Sequence, residues 1–310
     1  MSGDRIDRVL ARLLPQHSRT RIKSWIAAGA VRIGARAVRP SEHVDAGVRV
    51  SVAEGPPVPR DPPVLAEAIA RDLIHEDRDC LVVNKPVGLV VHPGAGNREH
   101  TLQNALLGLD PNLARLPRAG IVHRLDKDTS GVLVIARTAE AYTSLSRQLL
   151  ARTVAREYQA VAAGVMTSGG TIDLPIGRHR SDRLRQTVRG DGRPAVTHYR
   201  VLQRFRAHTH VAVALETGRT HQIRVHLAHV AHPLVGDPVY GGRHTRPRGA
   251  SAALVGILHS FRRQALHAAT LSFDHPRTGR RRTFTSPVPA DFAALLAALA
   301  RDVRDAEGGA

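Results

Sequence analysis

Five prolines fall within the ten residues Glu54–Pro63, EGPPVPRDPP, and neither a helix interior nor a central strand can run through such a stretch. The chain therefore reads as a short N-terminal domain, residues 1–53, a semi-rigid linker, residues 54–63, and a larger domain, residues 64–305. Residues 306–310 read as a frayed tail. With 310 residues there is enough chain for one substantial core and one small accessory domain.

In the first domain Ile6, Val9, Leu10 and Leu13 recur at helical spacing, and Ser18 is placed to cap a second helix whose apolar side holds Ile22, Trp25 and Ile26. Val31, Ile33 and Val38 around Gly34, then Val48, Val50 and Ser51, predict short strands about turns. Residues 1–60 carry eleven Lys+Arg against five Asp+Glu, net +6. A solvated helical face would account for such a run. The pattern SRTRIKSWIAAGAVRIGARAV also resembles, over residues 3–52, the small α+β RNA-binding domain named after ribosomal small-subunit protein four, with its alpha-L motif. The resemblance implies RNA contacts through Arg5, Arg8, Arg19, Arg21 and Lys23.

Charge narrows the partners. Forty-five Lys+Arg against 27 Asp+Glu give +18 and a pI near 11.5, which points to a polyanion, nucleic acid first. A GC-rich genome would favour arginine over lysine, and the lysines are only Lys23, Lys85 and Lys127, but base composition does not easily set the sign of the total. Aromatics at 3% argue against stacking many bases on a sheet of Phe and Tyr. The single cysteine, Cys80, excludes an intramolecular disulfide and any site needing two thiolates. An N-terminus without an apolar signal region, and the lack of any long apolar stretch, lead us to expect a cytoplasmic protein that does not engage membranes.

From Val64 onward strands and short helices alternate irregularly, the mark of an α+β domain with a mixed, largely antiparallel sheet. The strands expected are 80–84, 132–136, 158–162, 196–203, 210–215 and 266–273; the helices are 222–230, 252–261 and 290–304. No phosphate-cradling GxxxxGK[ST] loop occurs, and Gly94 and Gly96 lack the third glycine and following helix of a dinucleotide site, so no nucleotide cofactor is expected. His221, His226, His229 and His232 crowd into THQIRVHLAHVAH without an acidic residue or HExxH spacing, so no metal is expected either.

The run that carries chemistry is Gly120–Ala136, GIVHRLDKDTSGVLVIA. Asp128, Thr129 and Ser130 are ordinary turn formers, but a turn leaves Asp126 unexplained: a carboxylate beside Leu125 and two basic residues at the exit of an apolar strand. This run resembles the signature of the RNA pseudouridine synthases of the large-subunit rRNA and tRNA uridine family. Further likenesses follow in order: VVNKPVGLVVHPG at 82–94, AREYQAV at 155–161, ETGRTHQIRVHLAHVAHPLVGDPVYGG at 216–242 and QALHA at 264–268.

That resemblance implies a cofactor-free, monomeric enzyme that extrudes a uridine from folded RNA and reconnects its base through carbon. It implies Asp126 as the catalytic carboxylate, either attacking the ribose or removing a sugar proton, with Arg224 as its charge partner and Tyr158 against the base. Arg124, His123 and Leu266 would bind substrate, Arg124 filling the gap in the RNA stack and Leu266 flooring the uracil pocket. The implied target is large-subunit (23S) ribosomal RNA, in the stem-loop called helix 69. Other rRNA or tRNA uridines remain alternatives, as does a non-catalytic rRNA-binding assembly factor. Hydrolysis of a nucleoside would call for two acids flanking the bond, and this run supplies one.

Overall fold

The structure is a computed structural model that describes residues 3–14, 19–53, 64–67, 72–94, 97, 99–182, 184–241 and 245–308. The linker expected at 54–63 and the cap expected at Ser18 lie outside these residues. The chain divides into two compact units, residues 1–63 and 64–310.

The first unit contains β1 (Asp4–Arg5), α1 (Ile6–Leu13), α2 (Arg19–Ala27), β2 (Val31–Ile33), β3 (Arg36–Ala37), β4 (His43–Val44) and β5 (Val50–Val52). Strand β2 pairs with both β3 and β5, and β1 with β4, all antiparallel. Ile6, Leu10, Ile22, Trp25, Ile26, Val31, Val38 and Val44 form its core. Full burial of such a side chain contributes about 1.5–3 kcal/mol, and this small unit has few of them. Two strand expectations miss: Val38 lies just past β3, and Val48 precedes β5 and is 40% exposed; Leu13 closes α1, as its helical spacing predicts, with its side chain 69% exposed.

In the second unit the order is β6 (Asp72–Glu76), β7 (Cys80–Lys85), α3 (Leu102–Leu109), β8 (Ser130–Ala136), α4 (Ala139–Leu150), β9 (Ala155–Ala163), β10 (Gly170–Asp173), β11 (Ile176–Arg178), β12 (Gln186–Val188), β13 (Val196–Arg204), β14 (His208–Leu215), α5 (Gln222–His229), α6 (Ala252–Ser260), β15 (Leu266–Asp274), β16 (Arg281–Thr285) and α7 (Ala290–Gly308). Among the described residues nine strands form one sheet, β10-β13-β14-β9-β15-β8-β7-β6, with β16 paired to β15. All its pairings are antiparallel except β15 with β8.

The central strands are buried on both faces, which is why β7 and β8 read as unbroken apolar runs rather than as alternations. Leu81, Val83, Leu133 and Ile135 face one core with Leu102, Leu106 and Leu113; Cys80, Val82, Val132 and Val134 face another, covered by Ala141 and Leu145 of α4. A third core joins α6 and α7 through Leu254, Leu258, Phe292 and Leu295. Helix α7 continues to Gly308, so three of the five residues expected to fray are helical; Ala306 and Glu307 are good helix formers and the first glycine marks the end.

Candidate active site

Asp126 stands at the head of the turn that feeds β8, and the turn is fixed from several sides. Thr129 N–H closes it on the Asp126 carbonyl at 3.1 Å. Lys85, fully buried, donates its ammonium to the carbonyls of Pro86, Leu89 and Lys127 at 2.8, 2.9 and 2.9 Å. Arg263 Nη1 reaches the Asp128 carbonyl at 3.3 Å and Gln264 Nε2 the Thr129 hydroxyl at 3.0 Å. Gly131 has φ +116°, and a Cβ there would meet the Ala268 carbonyl oxygen at 2.1 Å, so only glycine lets β8 approach β15 this closely.

Arg224 arrives from α5 and is nearly buried. Its Nη1 donates to Asp126 Oδ2 at 3.1 Å, while Nε and Nη2 donate to Asp237 at 2.7 and 2.8 Å. Asp237 also accepts the backbone N–H groups of Val239 and Tyr240 at 2.9 and 3.0 Å. Burial raises the Asp237 pKa, but the Arg224 bonds and charge outweigh it and hold the carboxyl below its usual range. The Arg224 guanidinium lies 5.0 Å from the Tyr240 ring centroid.

These groups border a cavity of about 540 Å³. Asp126, Tyr158, Arg224, Arg124, His123 and Leu266 all line it, brought together from distant parts of the chain. Tyr158 (β9) and Leu266 (β15) are buried; Arg124 is exposed. Burial and the Asp126 charge raise the Tyr158 pKa, against the pull of Arg156. His123 serves the backbone as well as the wall: its Nε2 accepts the Val134 N–H at 3.2 Å, and burial drives the imidazole down to about 3. Seven arginines line the cavity against two carboxylates, Asp126 and Glu216, so the space favours an anionic ligand.

Sequence reasoning assigned no role to Asp237, Tyr240, His221, Arg156 or Lys85. Asp237 and Tyr240 stand in the GDPVYGG run, but nothing in their spacing says that they fold back onto Arg224. The histidines of 221–232 go to separate partners: His226 to Thr197 and Leu174, His232 to Ala163, and His221 to Tyr240. Elsewhere, among the described residues, His75, Asp77 and Cys80, and Asp77, Asp79 and His275, bring metal-capable atoms together. Hydrogen bonds account for the carboxylates: both histidines donate to Asp77 Oδ2, at 2.8 and 2.9 Å, and Arg277 grips Asp79 at 2.6 and 2.8 Å.

On the first unit Arg8, Arg21 and Lys23 are exposed, Arg19 opens α2, and Arg21 lies 5.4 Å from the Trp25 ring centroid. Arg5 and Lys23 sit 3.1 and 3.8 Å from the buried carboxylate of Asp7, so part of their charge neutralises an internal group.

Residues 79–229 match the family described as RNA pseudouridylate synthase, and residues 4–50 match the S4 domain. The chain is 52% identical over 302 residues to Ribosomal large subunit pseudouridine synthase D of Pseudomonas aeruginosa, covering 97% of this chain and 94% of that one. It is 49% identical over 301 residues to the protein of the same name from Haemophilus influenzae, covering 97% and 92%. Among solved structures, Human RNA Pseudouridylate Synthase Domain Containing 1 superposes with a TM-score of 0.58 at 28% identity, covering 75% of this chain and 89% of that one.

Proposed function

The chain belongs to the RNA pseudouridylate synthase family and is an isomerase that makes pseudouridine in ribosomal RNA; from that premise we propose that Asp126 is its catalytic carboxylate and the helix 69 stem-loop of large-subunit rRNA its target. The observation that carries the assignment of Asp126 is its asymmetry. Oδ2 is bound by Arg224, whereas no described residue donates to Oδ1 within hydrogen-bond distance, and the side chain borders the cavity.

The reaction breaks the bond between uracil N1 and ribose C1′, turns the base, and joins C5 to C1′; the proton on C5 leaves and N1 gains one. Whether the carboxylate attacks C1′ or takes a sugar proton, it acts as an anion, and Arg224 favours that form. Leu266 and Tyr158 offer the base an apolar floor and an aromatic wall. With its pKa raised, Tyr158 begins as a phenol, so accepting the C5 proton requires its own proton to move on in concert.

Reaching a base inside folded RNA costs a few kcal/mol of unstacking. The cavity arginines offset part of that through phosphate contacts, and Arg124, exposed beside Asp126, fits the role of filling the vacated stack. The S4 domain adds a second RNA contact, through Arg5, Arg8, Arg19, Arg21 and Lys23. We read the two units as working from one cytoplasmic monomer, without metal or cofactor.

The test is to map pseudouridines in rRNA and tRNA from cells with and without the gene. Loss confined to the helix 69 loop is the expected result; loss only at tRNA or other rRNA positions would refute the target.

A further inference from the structure

His221 sits beside the reacting carboxylate, and neither family resemblance nor sequence spacing assigns it a role. It is the N-cap of α5 with φ 56°, a left-handed conformation that is uncommon for any residue but glycine, so its surroundings must hold it there. Its Nδ1 is 2.8 Å from the Tyr240 hydroxyl, and that oxygen already accepts the Gln186 N–H at 2.8 Å. Among the described residues the phenol proton has His221 Nδ1 as its acceptor. A neutral ring that accepts at Nδ1 carries its own proton on Nε2. Burial lowers the His221 pKa, against the pull of Asp126, and so favours the neutral ring.

Nε2 faces Asp126 Oδ1 at 3.9 Å. That is too long for a direct hydrogen bond, but one oxygen placed about 2.8 Å from each atom bridges them with an angle of roughly 90° at that oxygen. The bridging group must accept from Nε2–H and donate to an ionised carboxylate. Within an RNA chain few groups of a uridine do both. The uracil carbonyls and phosphate oxygens only accept, N3–H only donates, and the 3′ and 5′ oxygens are esterified. The 2′-hydroxyl does both, and its carbon neighbours the one whose bond to uracil breaks.

We propose that the notch between Asp126 Oδ1 and His221 Nε2 seats the ribose 2′-hydroxyl of the target nucleotide, with Tyr240 as the positioning residue that fixes the His221 tautomer. The proposal rests on the pseudouridine synthase reading of the cavity and adds the contact by which this site tells RNA from DNA.

The test uses the full chain and two stem-loop RNAs that differ only in 2′-hydroxyl or 2′-hydrogen at the target uridine. Variants are His221→Asn, which tolerates the left-handed backbone but is too short to reach the notch, and Tyr240→Phe. Wild type is expected to lose on the order of 100-fold in single-turnover rate on the 2′-deoxy target. In His221→Asn that ratio should collapse to about 10-fold or less, because half of the hydroxyl's partners are already gone, with Tyr240→Phe in between. An unchanged ratio in His221→Asn would overturn the proposal, and would also be the result if a water alone occupies the notch. Should the variant turn over too slowly to time, the ratio of Kd values for the two RNAs replaces the rates, and again collapse supports the notch and an unchanged ratio overturns it. Failure of wild type on the all-ribose RNA would instead strike the functional reading beneath.

Discussion

Arg224 is gripped along one edge by Asp237, through Nε at 2.7 Å and Nη2 at 2.8 Å, so the only nitrogen it presents to Asp126 is Nη1. The guanidinium is therefore oriented from behind before any substrate enters. A bidentate carboxylate fixes the plane of an arginine as a single contact cannot.

Asp237→Asn is expected to slow the chemical step although Asp237 does not border the cavity. Breaking one side of a buried pair leaves Arg224 free to turn, so kcat should fall by roughly 10- to 100-fold while KM moves little. Thermal melting should fall as well. Steady-state kinetics on a stem-loop RNA decide it; an unchanged kcat in a folded protein would mean that Arg224 needs no backing.

Asp126→Asn keeps the size and hydrogen-bonding shape of the side chain and removes the anion. Isomerisation should be undetectable while RNA binding survives, because affinity comes mainly from arginine contacts to phosphate. Carbodiimide-dependent reverse-transcription stops count the product, with filter binding in parallel. Near wild-type modification would sink the assignment.

On the first unit, Arg8→Ala with Arg21→Ala should weaken RNA binding about tenfold and flatten the salt dependence by up to about two counterions, since both side chains are exposed. Arg5→Ala should behave differently: it strips a partner from buried Asp7 and should lower the melting temperature first. A pair of variants with unaltered salt slopes would remove this surface from the RNA interface.

Lys85 produces a pH signature. Burial pulls its ammonium down from 10.5 to about 7, against Asp128 and Asp126. Its folded value lies below its unfolded one, so between those values the unfolded chain binds more protons and stability rises with pH. Buried histidines, also lowered, finish contributing near their unfolded value of 6.5, and Cys80, raised from 9.0 to about 12, acts in the opposite sense only above 9.0. From pH 7 to 9 the rise should therefore be mainly that of Lys85, about 2 kcal/mol in urea unfolding. Lys85→Met should flatten it; parallel curves for the two proteins would refute the assignment.

Much of the candidate site was legible before the fold. Asp126 stood out because a turn explains Asp128, Thr129 and Ser130 but not a carboxylate next to Leu125; β7 and β8 fall on runs whose apolar content reflects two buried faces, and β9, β13, β14 and β15 fall on the other runs expected as strands. Helices α3 and α4 and strands β6, β10, β11, β12 and β16 were not singled out, since they are short or amphipathic only with respect to neighbours made elsewhere in the chain. Leu13 had the helical spacing of Ile6 and Leu10, yet spacing alone did not reveal that its side chain ends up exposed.

The sequence itself carried the blocks whose order resembles the family, the candidate residues that resemblance implies, and a basic chain suited to RNA. Geometry came only with packing. The parallel pairing of β15 with β8 brings Leu266 to the cavity that Asp126 also lines, the loop after α5 returns Asp237 and Tyr240 to Arg224 and His221, and Lys85 finds three carbonyls. Residue spacing encodes which face of a helix or strand a side chain occupies. It does not encode which distant backbone groups will be left needing a donor, because that depends on how all the strands pack at once.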